Sequence, residues 1–207
     1  KGKLIYILNN DATGKLTISS PLEANKSKCI TCCTIGVDVG YSNPLFATLE
    51  LDYSVCEGES AAERPIKLIA YYELDLGLNH VVRKASYPVD LSANTLISLP
   101  AGNTGSNGLL ICQNNCIKWM PSIQEQDLIS ITIPRANTPS LNATRDILIV
   151  SHVVHKSQNS FFVLILNEDG DIFKVTIDTG SKVITIVYFD TLIGAHSLSL
   201  TKNGFLY

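Results

Sequence analysis

Short apolar runs separated by turn residues dominate the chain, and helical periodicity is nearly absent. Leu4 to Asn9 and Leu16 to Ser20 read as two strands around Asn9-Asn10-Asp11. Cys29 to Val39 reads as a long strand rich in Thr, Ile and Val, and Leu45 to Tyr53 follows Asn43-Pro44. Ile66 to Leu74 and His80 to Tyr87 come next, joined by Asp75-Leu76-Gly77-Leu78. Thr95 to Leu99, Gly108 to Gln113, Cys116 to Met120 and Leu128 to Ile133 form a group of short strands. Ile147 to His155, Phe161 to Leu166, Asp171 to Ile177 and Val183 to Phe189 repeat that pattern. Glu168-Asp169-Gly170 and Asp178-Thr179-Gly180 are hairpin signals, because glycine accepts positive φ. A strand from His196 to Thr201, the turn Lys202-Asn203-Gly204 and a further apolar segment end the chain.

These strands fall into groups of four, over about 29–87, 95–133 and 147–189, with half-groups at 1–20 and 196–207. Consecutive four-stranded units of about 40–60 residues are the signature of propeller blades. A blade needs a neighbour on each side, which explains apolar inner strands such as Phe161 to Leu166. The expected fold is therefore all-β: an incomplete β-propeller of about three full antiparallel blades plus partial blades at both ends, within one domain. A β-sandwich is the alternative, but the strands are too many for an ordinary one. No Trp-Asp dipeptide is present, so a regular WD-repeat propeller is not expected.

Composition narrows the function classes. Apolar residues are 45% and charged residues 17%, which suits a packed core rather than a disordered chain. No segment approaches the roughly 18 apolar residues that span a membrane as a helix, so no membrane role is expected. The net charge is −3 and the basic residues are scattered, so little or no direct nucleic-acid binding is expected. The chain starts at Lys1 and stops within an apolar run at Gly204–Tyr207, which leads us to expect a longer parent. Cutting a propeller open would expose blade edges, so edge-mediated self-association of this piece is also expected.

Candidate chemistry is sparse. Cys29, Cys32 and Cys33, with Cys112 and Cys116, resemble halves of a zinc site. On a strand, however, Cys29 and Cys32 face opposite ways. Cys112 and Cys116 flank a hairpin tip and read as cross-strand neighbours. Buried free thiols are the favoured reading, with no metal and no cofactor. His152 and His155 also face opposite ways on their strand, and His80 and His196 stand alone. Asp38, Glu50, Asp52, Glu73 and Asp75 lie near strand ends, where acids are usually solvated. Ala101-Gly102-Asn103-Thr104-Gly105 lacks the ending of a phosphate loop. Asn25-Lys26-Ser27 and Asn142-Ala143-Thr144 are formal glycosylation sequons. No catalytic residue is assigned.

The run Tyr72-Glu73-Leu74-Asp75-Leu76-Gly77-Leu78-Asn79-His80-Val81-Val82-Arg83-Lys84 carries a resemblance. So do Leu16–Ala24, Gly36–Gly40, Asn43–Ala47, Gly108–Cys112, Gly170–Lys174 and Tyr188–Thr191. In family order, they resemble the family of splicing factor 3b subunit 3, a triple-propeller protein. The wider family includes damaged-DNA-binding protein 1 and the large subunit of the cleavage and polyadenylation specificity factor. The long run at Tyr72–Lys84 favours the splicing branch. Glu57 to Pro65 and Lys118 to Gln126 depart from the family. The resemblance implies a non-enzymatic scaffold in the nucleus, acting in pre-mRNA splicing within the complex that recognises the branch site. Its implied partners are the other subunits of the splicing factor 3b complex, especially the helical-repeat subunit. A ubiquitin-ligase adaptor or a 3′-end-processing factor is the alternative. Asn79, His80, Arg83 and Lys84 are the candidate partner-binding residues, with Arg83 and Lys84 expected to reach outward.

Overall fold

The computed structural model describes residues 3–24, 26, 28–39, 43–56, 64–102, 107–124, 128–135, 145–157, 160–201 and 203–207. Both sequons lie wholly or partly outside these residues, as do most of 57–65, all of 136–144 and residues 103–105 of the glycine-rich loop. Among the described residues there is no α-helix, only a 3-10 turn at Ser54–Cys56. The strands build three four-stranded antiparallel sheets in which each strand pairs with its neighbour in sequence, plus two short two-stranded sheets. The chain forms two compact units, Lys1–Leu91 and Ser92–Tyr207.

The first unit holds β1 (Leu4–Ile5), β2 (Leu8–Asn10), β3 (Leu16–Ile18) and β4 (Leu22–Glu23), where β1 pairs with β4 and β2 with β3. The run Leu4 to Asn9 is therefore two strands, not one, broken at Tyr6-Ile7. The turn also lies later than expected. Asp11 Oδ1 accepts the backbone N–H groups of Thr13 and Lys15, and Gly14 supplies the positive φ. The sheet of this unit is β5 (Cys29–Val37), β6 (Leu45–Asp52), β7 (Ile66–Asp75) and β8 (His80–Pro88). Edge strand β5 alternates buried and exposed residues, while central β6 and β7 are buried on both faces over much of their length. Ile5, Ile7, Leu22 and Ala24 pack on Ala70, Tyr72, Leu74 and Val81. The opening segment thus covers one face of this sheet.

The second unit holds β9 (Thr95–Ser98), β10 (Leu109–Gln113), β11 (Cys116–Met120) and β12 (Ile129–Thr132) in one sheet. Its other sheet is β13 (Ile149–Lys156), β14 (Phe161–Asn167), β15 (Asp171–Asp178) and β16 (Val183–Thr191). All five residues of β10 are buried. One core joins the two sheets, with Ile97, Leu110, Ile117 and Trp119 packing against Val163, Ile165, Phe173 and Val175. The opposite face of β14 and β15 is covered by Leu198, with Ala195 and Leu206 at its margin. The expected strand from His196 is reduced to a single bridge between Leu200 and Leu206. Among the described residues its backbone–backbone bonds run within 199–207, while the Leu198 N–H donates to Ser151 Oγ.

Polar clamps complete the joint between these sheets. Asn115 sits at φ +63, a conformation asparagine tolerates. Its amide donates to Asp146 Oδ1 at 2.6 Å and its Oδ1 accepts the Ile147 N–H at 2.9 Å. Asn94 Nδ2 donates to the Ile149 carbonyl. The hairpin tip of one sheet therefore fixes the entry to the next. Gly108 is needed for a different reason. It holds φ +76, and a Cβ there would lie 1.9 Å from the Met120 carbonyl oxygen. Gly108→Ala is expected to cost at least about 2 kcal/mol, read as a lowered midpoint in urea unfolding of the 207-residue chain.

Candidate interaction surfaces

The hairpin joining β7 and β8 carries the run that most resembles the family. Asp75 Oδ1 accepts the backbone N–H groups of Gly77 and Leu78, at 2.9 and 3.0 Å. Asn79 takes φ +50 and closes the turn onto the His80–Asp75 pair. Aspartate as turn acceptor and asparagine at positive φ are the residues such a turn favours. The fixed tip presents Leu76 and Leu78, the latter 78% exposed, together with exposed Asn79 and His80. The two leucines were missed by sequence reasoning, which took them as part of the connector.

Arg83 and Lys84 diverge at a bulge. Tyr72 pairs with Arg83 and Tyr71 with Ala85, so Lys84 is the extra residue. Lys84 stays at the surface beside Glu73, at 3.4 Å. Arg83 instead turns inward to Glu50 Oε2 at 3.3 Å. Of the two residues expected to reach a partner, Lys84 is at the surface and Arg83 is turned inward. Between them and the tip, Val81 is buried and Val82 exposed.

Glu50 is the second correction. It is not a solvated strand-end acid but a fully buried carboxylate near the middle of the sheet. Its Oε1 accepts from Lys3 Nζ at 2.6 Å, Tyr72 OH at 2.7 Å and Thr48 Oγ1 at 2.8 Å. Lys3 also lies over the Tyr72 ring, 5.0 Å from its centre, and Phe46 stacks on that ring with 5.2 Å between centres. Burial opposes the charge on Glu50, but these donors outweigh it and hold the carboxyl below its ordinary value. Burial and the bond to Glu50 push the Tyr72 hydroxyl up. Nearby Asp52 pairs with Lys26 and accepts from the Ser54 N–H and hydroxyl. Burial opposes its charge too, yet those donors hold it well below the usual carboxylate range. Each carboxylate accepts from donors on other parts of the chain, an arrangement that fastens those segments together.

The other candidates do not converge. All six cysteines are free, but only Cys29 and Cys112 are buried, and Cys32 is exposed at a bulge between Thr31 and Cys33. Burial, with Asp52 beside it, pushes the Cys29 thiol up. Cys116 pairs with Gln113 rather than Cys112. Among the described residues, no group of three or more His, Cys, Asp or Glu is placed to hold a metal ion. His152 pairs with Ile165, on the face that joins the shared core, and burial lowers its pKa. His155 lies on the opposite face against the Phe162 ring, at 4.9 Å.

Glu50 gives a direct test. Its folded-state pKa lies below its ordinary value of 4.5, so its contribution is present above pH 4.5 and is lost as pH falls through the folded value. Glu50→Ala strands Lys3 and Arg83 near the core and is expected to cost about 3 kcal/mol at neutral pH. Glu50→Gln is expected to flatten the fall of Tm below pH 4.5 relative to the unsubstituted chain, measured by circular dichroism.

Comparison with known proteins places these features. Residues 1–207 match the family model described as the RSE1/DDB1/CPSF1 first beta-propeller. Splicing factor 3B subunit 3 of Drosophila melanogaster is 42% identical over the whole of this chain, which covers 17% of that protein. Spliceosome-associated protein 130 A of Arabidopsis thaliana is 47% identical, again over the whole chain and 17% of the relative. Pre-mRNA-splicing factor rse1 of Emericella nidulans is 44% identical, over the whole chain and 18% of the relative. The chain thus spans about a sixth of the length of these relatives. Its sheets are propeller blades, and the chain belongs to the RSE1/DDB1/CPSF1 first-propeller family.

Proposed function

We propose that this chain is a non-catalytic, protein-binding part of a pre-mRNA splicing subunit. It acts in the nucleus by helping to hold the branch-site-recognition complex together. The observation that carries this reading is the match over the whole chain, at 42% and 47% identity, to relatives named as splicing-factor and spliceosome-associated proteins. The geometry agrees with it. Buried acids are used up in structural bonds, while a rigid hairpin tip offers exposed leucines to another protein. Within this reading, residues 1–207 are part of one propeller domain, with blades near 29–87, 95–133 and 147–189 and partial blades at 1–20 and 196–207.

The partners are the other subunits of the splicing factor 3b complex, foremost the helical-repeat subunit. Leu76, Leu78, Asn79, His80 and Lys84 form the contact surface we assign, with Arg83 held back by Glu50.

Affinity purification of the longer protein from nuclear extract is expected to recover those subunits. Reproducible absence of the helical-repeat subunit, or recovery of ubiquitin-ligase or 3′-end-processing subunits in its place, contradicts the reading. Leu76→Asp with Leu78→Asp is expected to reduce recovery of the complex while leaving the Tm of the chain unchanged, since both side chains are exposed. With a net charge of −3, the 207-residue chain is expected to give no gel shift of RNA at physiological salt.

A further inference from the structure

Part of β8 reads almost the same after a shift of one residue. From 81 to 84 it runs Val-Val-Arg-Lys, two valines followed by two cations. Tyr72 pairs with Arg83 and Tyr71 with Ala85, which leaves Lys84 over as a bulge. Residues directly opposite each other share a face of the sheet. Val81 therefore lies on the Leu74 side, and Arg83 on the Tyr72 side toward Glu50. Val82 shares the other face with Glu73, which Lys84 reaches at 3.4 Å.

The pairs from Leu68–Pro88 to Tyr71–Ala85 set a register of their own. Carried on without the bulge, it sets Tyr72 opposite Lys84, Glu73 opposite Arg83, Leu74 opposite Val82 and Asp75 opposite Val81. Slippage is normally blocked because it turns apolar side chains out of the core. Here each face keeps its chemistry. Val82 replaces Val81 against Leu74, Lys84 replaces Arg83 on the Glu50 side, and Arg83 meets Glu73. The extra residue moves from the bulge into the connector, which lengthens from Leu76–Asn79 to Leu76–His80. Gly77 and Leu78 stay bonded to Asp75 in both registers, since that turn is built from the β7 side alone. The observed register carries two costs. Its ladder is interrupted at Lys84, and among the described residues the buried Arg83 Nε has no hydrogen-bond partner. In its favour stands the short closure at Asn79.

We propose that the β7–β8 hairpin exchanges between these two registers, the bulge migrating between Lys84 and the connector while Glu50 and Glu73 trade cations. Residues 81–84 swap faces as it does so, and the pairs at 85–88 stay as they are. His80 leaves the ladder and joins the connector. A partner that grips Asn79 and His80 in one register therefore holds the hairpin in that register. The exchange depends on the fold alone, and its absence leaves the splicing reading untouched.

Relaxation-dispersion NMR of the 207-residue chain tests it. A second state of about 1–10% is expected, exchanging in microseconds to milliseconds. The exchange should appear at 72–75 and 79–84 and be absent at 86–88. Val82→Lys sets a lysine beside Glu73 in the observed register but against Leu74 in the other, so it is expected to abolish the exchange. Val82 is 40% exposed, so the thermal melt should not change. Val81→Lys has the opposite preference, because Val81 is buried beside Leu74 and would stand opposite Asp75 after the slip. In that variant, nuclear Overhauser contacts from Tyr72 to Lys84 and from Leu74 to Val82 are expected to replace those to Arg83 and to position 81. Flat dispersion over 79–84, exchange that survives Val82→Lys, or a Val81→Lys chain that keeps Tyr72 against Arg83 overturns the proposal. Should Val81→Lys fail to fold, the first two readouts decide.

Discussion

Strands such as Leu109–Gln113 and Phe161–Asn167 are apolar where they cross the centre of a sheet, and both of their faces are dry. A single sheet cannot bury its own two faces, so every such strand demands cover from a second layer on each side. The rest of the structure follows from that demand. In the second unit, one core is shared between two sheets, and the segment around Leu198 covers the far face. In the first unit, Ile5, Leu22 and Ala24 cover the face of β7 that carries Tyr72 and Leu74. Polar groups are then admitted only where their partners are fixed. The Asn115–Asp146 clamp and the donors around Glu50 are two instances.

Much of this was legible along the chain. Alternation in β15 marked a half-exposed strand, continuous apolar runs in β10 and β14 marked buried ones, and turn residues marked the hairpins. These signals are local, within a few residues of the structure they report. The opening segment misled because Leu4 to Asn9 changes partner midway: β1 pairs with β4, and β2 with β3. Hydrophobic pattern records burial and alternation, but not the identity of the partner strand.

The exposed hairpin tip was half legible. Asn79 and His80 stand out in the sequence and are exposed at the tip. Arg83 could not be resolved, because its partner Glu50 lies 33 residues away. Glu50 itself sits in Thr48-Leu49-Glu50-Leu51-Asp52, which reads as an ordinary alternating edge. What makes it a core residue is a set of donors from Lys3, 47 residues distant, and from Tyr72 on the next strand. Leu76 and Leu78 escaped notice for the opposite reason. Leucine reads as core in any pattern, and only the turn built on Asp75 holds these two in solvent.

Rigid inner strands and a fixed, exposed tip make a division of labour that is open to one direct measurement. Hydrogen exchange of the longer protein, alone and in its purified complex, reports both parts at once. Amides of β10 and β14 should exchange slowly and equally in the two states, with new protection in the complex falling on Leu76 to His80. Rapid exchange in β10 and β14, or an unchanged tip in the complex, would contradict the account.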